Sequence, residues 1–276
     1  MRLIFILVLA FSPCLSSGQT LTLALFDVAW AGDSVSITNQ DIVAGSKVAD
    51  DHPLFHPTSP VLYYISRSEN TSDIRSYSYD TRNDSTILRH PHTASRLHIT
   101  TDNSQVTFLS RDKGEMTFHP LKPGIQPRKP LAGLSMENYC WIDDNSMLVI
   151  QSGDPNTLNL LTLRPRKIQP VVKHVGPILQ RTSHLLAFVH KLSVDSWSIK
   201  KLTSDGRISI LSETFPGAEI FAISDDGKVM MAYEDKLYCL ARSGDWKEVK
   251  SFAHSQIKSI GLSATGDKLF VLFALQ

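Results

Sequence analysis

The chain has 276 residues, 42% hydrophobic and 20% charged, with 28 Lys and Arg against 27 Asp and Glu. That length supports a sizeable core. The formal charge of +1 argues against the basic excess by which nucleic-acid proteins grip phosphate, and no apolar run reaches the ~20 residues of a membrane-spanning helix.

Met1 and Arg2 lead into an unbroken apolar run from Leu3 to Phe11. A single positive charge, a short apolar core and small residues behind it make a secretory signal. Ser16 and Gly18 put small residues at −3 and −1 of a cut before Gln19, so residues 1–18 read as a signal peptide and 19–276 as one mature domain. Cys14 is the acylation point of a rival lipoprotein reading. Phe11-Ser12-Pro13 is a poor lipidation context, because small residues are wanted there and Pro is disfavoured. Export is therefore expected, to the periplasm in a Gram-negative cell and otherwise to the outside. Loss of Arg2 with the signal leaves 27 basic and 27 acidic residues. Cys140 and Cys239 remain as two thiols expected to be buried in non-neighbouring repeats. Asn70-Thr71-Ser72 and Asn83-Asp84-Ser85 fit the glycosylation sequon.

From residue 54 onward one arrangement recurs six times: a short apolar run, a polar turn, and a second apolar run. The second runs open at Leu62, Val106, Met147, Leu185, Val229 and Leu269, spaced 44, 41, 38, 44 and 40 residues apart. Four-stranded propeller blades repeat at about 40–45 residues. Four of the gaps hold two further short strands, such as Ile74 to Tyr79 with Ser85 to Leu88, and Trp197 to Leu202 with Ile208 to Leu211 around the hairpin signal Ser204-Asp205-Gly206. No segment carries a sustained apolar stripe at helical spacing. The sixth unit stops after its second strand. The N-terminal runs Leu21 to Val28 and Val35 to Ile37 supply the two it lacks. The expected fold is an all-β, six-bladed β-propeller whose last blade is closed by the N-terminal strands, leaving no long open sheet edge.

The best-formed units are Phe55-His56-Pro57-Thr58-Ser59 with Tyr63-Tyr64-Ile65-Ser66-Arg67 and Asp73-Ile74-Arg75-Ser76-Tyr77-Ser78-Tyr79-Asp80, and the turns Ile223-Ser224-Asp225-Asp226-Gly227-Lys228 and Leu262-Ser263-Ala264-Thr265-Gly266-Asp267-Lys268. They resemble the TolB-type propeller repeat, which runs Phe-Ser-Pro-Asp-Gly-Lys, an apolar strand, Ser-x-Arg and Asp-Ile-Tyr-x-Tyr-Asp. Units two to four are degenerate. TolB carries an additional N-terminal domain without a counterpart here, so the resemblance is to stand-alone exported TolB-like propellers. It implies a fold and identifies no activity.

Catalytic motifs are missing from the letters. Gly261-Leu262-Ser263-Ala264-Thr265 has Thr where a serine nucleophile elbow needs Gly, and the repeat explains it as a turn. No paired His with Glu, no Cys-x-x-Cys and no phosphate loop occurs, and no cofactor or metal is expected. His90-Pro91-His92 reads as a solvated loop. In a four-stranded propeller the loops after each second strand and the connections between blades share one rim, and loops on a rigid scaffold are where binding lives. That rim is expected to carry His52, Arg67, Arg111, Asp154, His190 and Lys191, with Asp50, Asp51, Glu69, Asp112, His174, Glu234 and Asp235. The expected function is a non-catalytic binding scaffold, read as a monomer, that holds a protein or peptide partner on this rim. The alternative is a metal-dependent, lactonase-like hydrolase with carboxylates such as Asp50, Asp154 and Asp195 converging on the channel; fold alone does not decide between them.

Overall fold

The computed structural model describes residues 21–275 apart from 46–52, 69, 111, 134, 204 and 205. The signal segment with Cys14, and Asp50, Asp51, His52, Glu69 and Arg111, lie outside the described residues.

Six antiparallel sheets form a six-bladed β-propeller. Blade 1 holds β3 (Leu54–Phe55), β4 (Val61–Ser68), β5 (Thr71–Ser78) and β6 (Asn83–His90), from the channel outward. Blade 2 holds β7 (Ala94–Ile99), β8 (Gln105–Ser110) and β9 (Glu115–Pro120). Blade 3 holds β10 (Asn138–Trp141), β11 (Ser146–Gln151), β12 (Thr157–Leu163) and β13 (Arg166–Lys173), and blade 4 holds β14 (Val175–Arg181), β15 (Leu185–Lys191), β16 (Trp197–Thr203) and β17 (Ile208–Thr214). Blade 5 holds β18 (Ile220–Ile223), β19 (Val229–Tyr233), β20 (Lys236–Leu240) and β21 (Trp246–Ser251). Blade 6 runs β22 (Ser255–Leu262), β23 (Lys268–Leu275), β1 (Leu21–Ala31) and β2 (Ser34–Ala44), so the N-terminal strands do complete it.

The second strand of each blade is packed on both faces. β8 is buried at every position and β23 at all but its two ends. This is why these strands read as continuous apolar runs rather than alternations. The outermost strands need only ladder bonds, and β13 and β17 are largely exposed. The core is accordingly divided into six apolar clusters, one in each seam between neighbouring blades. In the seam between blades 6 and 1, Phe55 and Phe270 meet with ring centroids 5.6 Å apart.

In blade 6, β1 pairs with β23 from Leu21↔Ala274 to Asp27↔Lys268. The outer strand β2 runs on to Ala44, past the Val35 to Ile37 expected from the sequence. Thr38 to Asp41 break the apolar pattern, but an outer strand tolerates that as long as its backbone pairs, and register shifts beside Leu23 and Leu25 absorb the mismatch. Among the described residues blade 2 has three strands and no regular fourth. Residues 121–137 carry Pro123, Pro127 and Pro130, which have no N–H to offer a ladder, and pair with β9 at the isolated Met116↔Leu131 bridge.

The turns joining first and second strands in blades 2, 5 and 6 share one chemistry. In blade 5, Ser224 Oγ donates to Asp226 Oδ1 (2.5 Å) and accepts from Lys228 N (3.1 Å), with Gly227 at φ 83°. In blade 6, Ser263 and Asp267 do the same at 2.7 Å. That places Ser263 in a turn. Thr100 with Asp102 (2.6 Å) repeats the device in blade 2. Cys140 and Cys239 are both free and buried.

Candidate binding face

Two sets of loops sit at opposite rims because each blade is a meander. The loops after second strands and the connections between blades form the upper rim. The first-to-second and third-to-fourth hairpins form the lower rim.

The expected site residues that are described come from blades 1, 3 and 4. Arg67, at the end of β4, is half-buried and its Nη2 donates to Ala94 O (3.1 Å), tying blade 1 to the inner strand of blade 2. Asp154 is exposed at the tip of the β11–β12 loop. His190 is buried, and its ring hydrogen-bonds the Lys173 backbone while Nδ1 has no partner. Burial holds its pKa below the ordinary histidine value, with the Lys200 charge adding to the effect. Lys191 pairs with Glu219 of the next blade and lies over the Trp197 ring, 4.6 Å from its centroid. His174 is exposed with φ 60°.

Several polar groups of this rim staple one blade to the next. Arg96 Nη2 meets Glu137 Oε1 at 2.8 Å, and its Nε donates to Glu137 O at 2.9 Å. Asn138 Nδ2 donates to Pro177 O (2.9 Å). His90 Nε2 and Ser110 Oγ share a 2.8 Å hydrogen bond, but Ser110 is buried and its hydroxyl is also linked to Thr117, so it is unsuited to attack a substrate. Much of the charge at this rim therefore supports the ring.

The loop between β15 and β16 carries, besides the expected Asp195, two side chains that no motif marked. Leu192 is 60% and Val194 84% exposed. The loop is nonetheless held: Leu192 N donates to Ser196 O (2.9 Å), and Trp197 Nε1 to Ser193 O (3.0 Å). Two aliphatic side chains thus project from a fixed turn flanked by Lys191 and Asp195. The signal for this was present, as two aliphatic residues in a span otherwise made of Ser and Asp.

Among the described residues no three His, Cys, Asp or Glu side chains gather as an ion site. Asp154 and Asp195 stand in loops of different blades. Among the same residues no helix is long and apolar enough to cross a membrane.

No family model matches the chain, and no curated protein matches it in sequence. Solved structures do match in shape. TolB from Acinetobacter baumannii aligns with a TM-score of 0.55 at 14% identity, over 94% of this chain and 64% of TolB. A chain of a nidogen/laminin complex aligns at 0.58 and 10% identity, over 91% and 98%. A protein classed by inference as a gluconolactonase aligns at 0.54 and 10% identity, over 82% and 90%. At such identities the likeness is one of fold, and it extends to a lactonase candidate as readily as to proteins that bind. The chain is a six-bladed β-propeller with TolB among its structural neighbours.

Proposed function

We propose that this propeller is an exported, non-catalytic scaffold that holds a protein or peptide partner on its upper rim, at a face that takes in Arg67, Asp154, His190, Lys191 and, outside the described residues, His52 and Arg111. The observation carrying this reading is the pinned loop bearing Leu192 and Val194. Exposed aliphatic side chains on a preorganised turn lose little entropy on binding and can seat in a partner's pocket. Asp195, exposed beside them, supplies a charge for orientation, while Lys191 is held by Glu219 and fixes the base of the loop.

The test is affinity capture from the native envelope with wild type and with a Leu192→Ser, Val194→Ser variant. The variant should fold normally and lose its partner by tenfold or more, the scale of one good apolar anchor at ~1.4 kcal/mol. Equal recovery of the same partners by both proteins would reject this face. Export is checked by intact mass: a mature chain beginning at Gln19 supports it, and a diacylglycerol on Cys14 replaces it with the lipoprotein.

A further inference from the structure

On the lower rim, the hairpin turns of blades 5 and 6 leave a cleft of about 500 Å³. Clefts of about 300–1,000 Å³ suit small molecules. One wall is apolar, made by the half-buried Trp30 with Val35 and Leu240. Trp30 Nε1 donates to Gly266 O (2.8 Å), which fixes the indole.

The charges of the cleft are unequal in their partners. Lys228 Nζ meets Asp226 Oδ2 at 2.8 Å and lies 5.3 Å from the centre of the Trp30 ring. Asp33 accepts from the Arg242 backbone N–H (3.1 Å) and stands 3.8 Å from Lys247. Both carboxylates are thereby matched. The Arg242 side chain is exposed at the mouth, and among the described residues no carboxylate pairs with it. Of the charged side chains lining the cleft, the Arg242 guanidinium alone has no ion-pair partner among the described residues.

We infer that this cleft binds a small monocarboxylate with a flat apolar body. The planar fork of Arg242 matches a carboxylate with two parallel N–H donors, and the Trp30 wall accepts an aryl or short branched group. One free positive charge selects a monoanion, since a second negative charge would face Asp33 and Asp226. The site lies on the rim opposite the Leu192 loop, so either can fail without the other.

The experiment is calorimetric titration of the whole mature protein with phenylacetate, with neutral phenylacetamide and body-less acetate as comparisons, and with the Arg242→Gln variant. Arg242 is a surface side chain, so the variant keeps the fold. Phenylacetate should bind saturably in the range below about 10 mM expected of a ten-atom ligand. Phenylacetamide, and phenylacetate with Arg242→Gln, should each bind about tenfold or more weakly. Acetate should give no measurable binding. Equal binding by the amide or by the variant overturns the guanidinium site, acetate binding as well as phenylacetate overturns the apolar wall, and no saturable phenylacetate binding overturns the whole proposal.

Discussion

Lys268 Nζ lies 2.5 Å from Asp27 Oδ1, a contact between residues 241 positions apart that joins the first strand of the described chain to the last. The hydrogen bond from Lys268, then that from Asn39, holds the Asp27 carboxyl below its ordinary range. A depressed carboxyl adds stability above its unfolded value, and that contribution is lost as pH falls through the folded one. Both side chains are partly exposed, so the effect is modest. Asp27→Asn should cost about 0.5–1 kcal/mol at pH 7, with the gap to wild type closing as pH falls below the ordinary aspartate value of about 3.9. Urea unfolding at pH 7 and pH 3 checks this.

Thr107 should prove irreplaceable by its isostere. Its buried hydroxyl accepts from both Tyr139 Oη (2.9 Å) and Trp141 Nε1 (3.1 Å) across the seam between blades 2 and 3. Thr107→Val keeps the shape and strands two buried donors, each costing about 1–3 kcal/mol. A loss of roughly 2–4 kcal/mol on that basis is expected by denaturant unfolding, and Thr107→Ser should recover most of it.

His98 should steepen the acid limb of stability. Burial pushes its pKa down to about 4, against a weaker opposing hydrogen bond with Asn138. The unfolded chain takes up this proton first, so stability is intact above about 6.5 and falls as pH drops from there toward 4. His56, His90, His119 and His190 are shifted the same way, each chiefly by burial. His98 keeps part of its surface exposed, so removal of its proton-binding site by His98→Gln should flatten the limb by only about 1–2 kcal/mol at pH 4.5. Thermal melts across pH 4–7 measure it.

Gly261 answers a packing demand. A Cβ there would overlap the ring of Phe270, its direct cross-strand partner. Phe270 is itself buried against Phe55. Gly261→Ala should cost about 1–3 kcal/mol as overpacking, and Phe270→Leu in the same chain should return part of it. If the alanine variant melts like wild type, the two strands are not held as closely as described.

The repeat was legible because each blade's second strand is buried on both sides, which writes an apolar run every forty or so residues. The closure of blade 6 was legible for a related reason: two unused strands at one end and two absent at the other. Turn chemistry was half hidden. Ser224 and Ser263 sit in recognisable turns, whereas Thr100 performs the same hydrogen bonding in a unit whose letters have drifted. The rim was the least legible part. Lys191 looked available, but its partner Glu219 comes from the next blade, and Arg67 reaches for a carbonyl on β7. Such pairings arise from the packing of the ring and leave no local pattern. Leu192 and Val194 stand out in the letters only as two aliphatic residues among Ser and Asp, and it takes the hydrogen bonds that pin their loop to show that they are held in place.

The pairing of Leu21 with Ala274 has a mechanical consequence. The two ends of the described chain lie side by side at one rim, on adjacent antiparallel strands whose hydrogen bonds run across the strands. A pull applied through both ends would part β1 from β23 as a zipper opens, loading one bonded pair at a time, whereas tension applied along the strands would load the whole ladder together. The ring should therefore yield at low force when drawn by its ends, and it should open first inside blade 6, where the first strand pairs with the last.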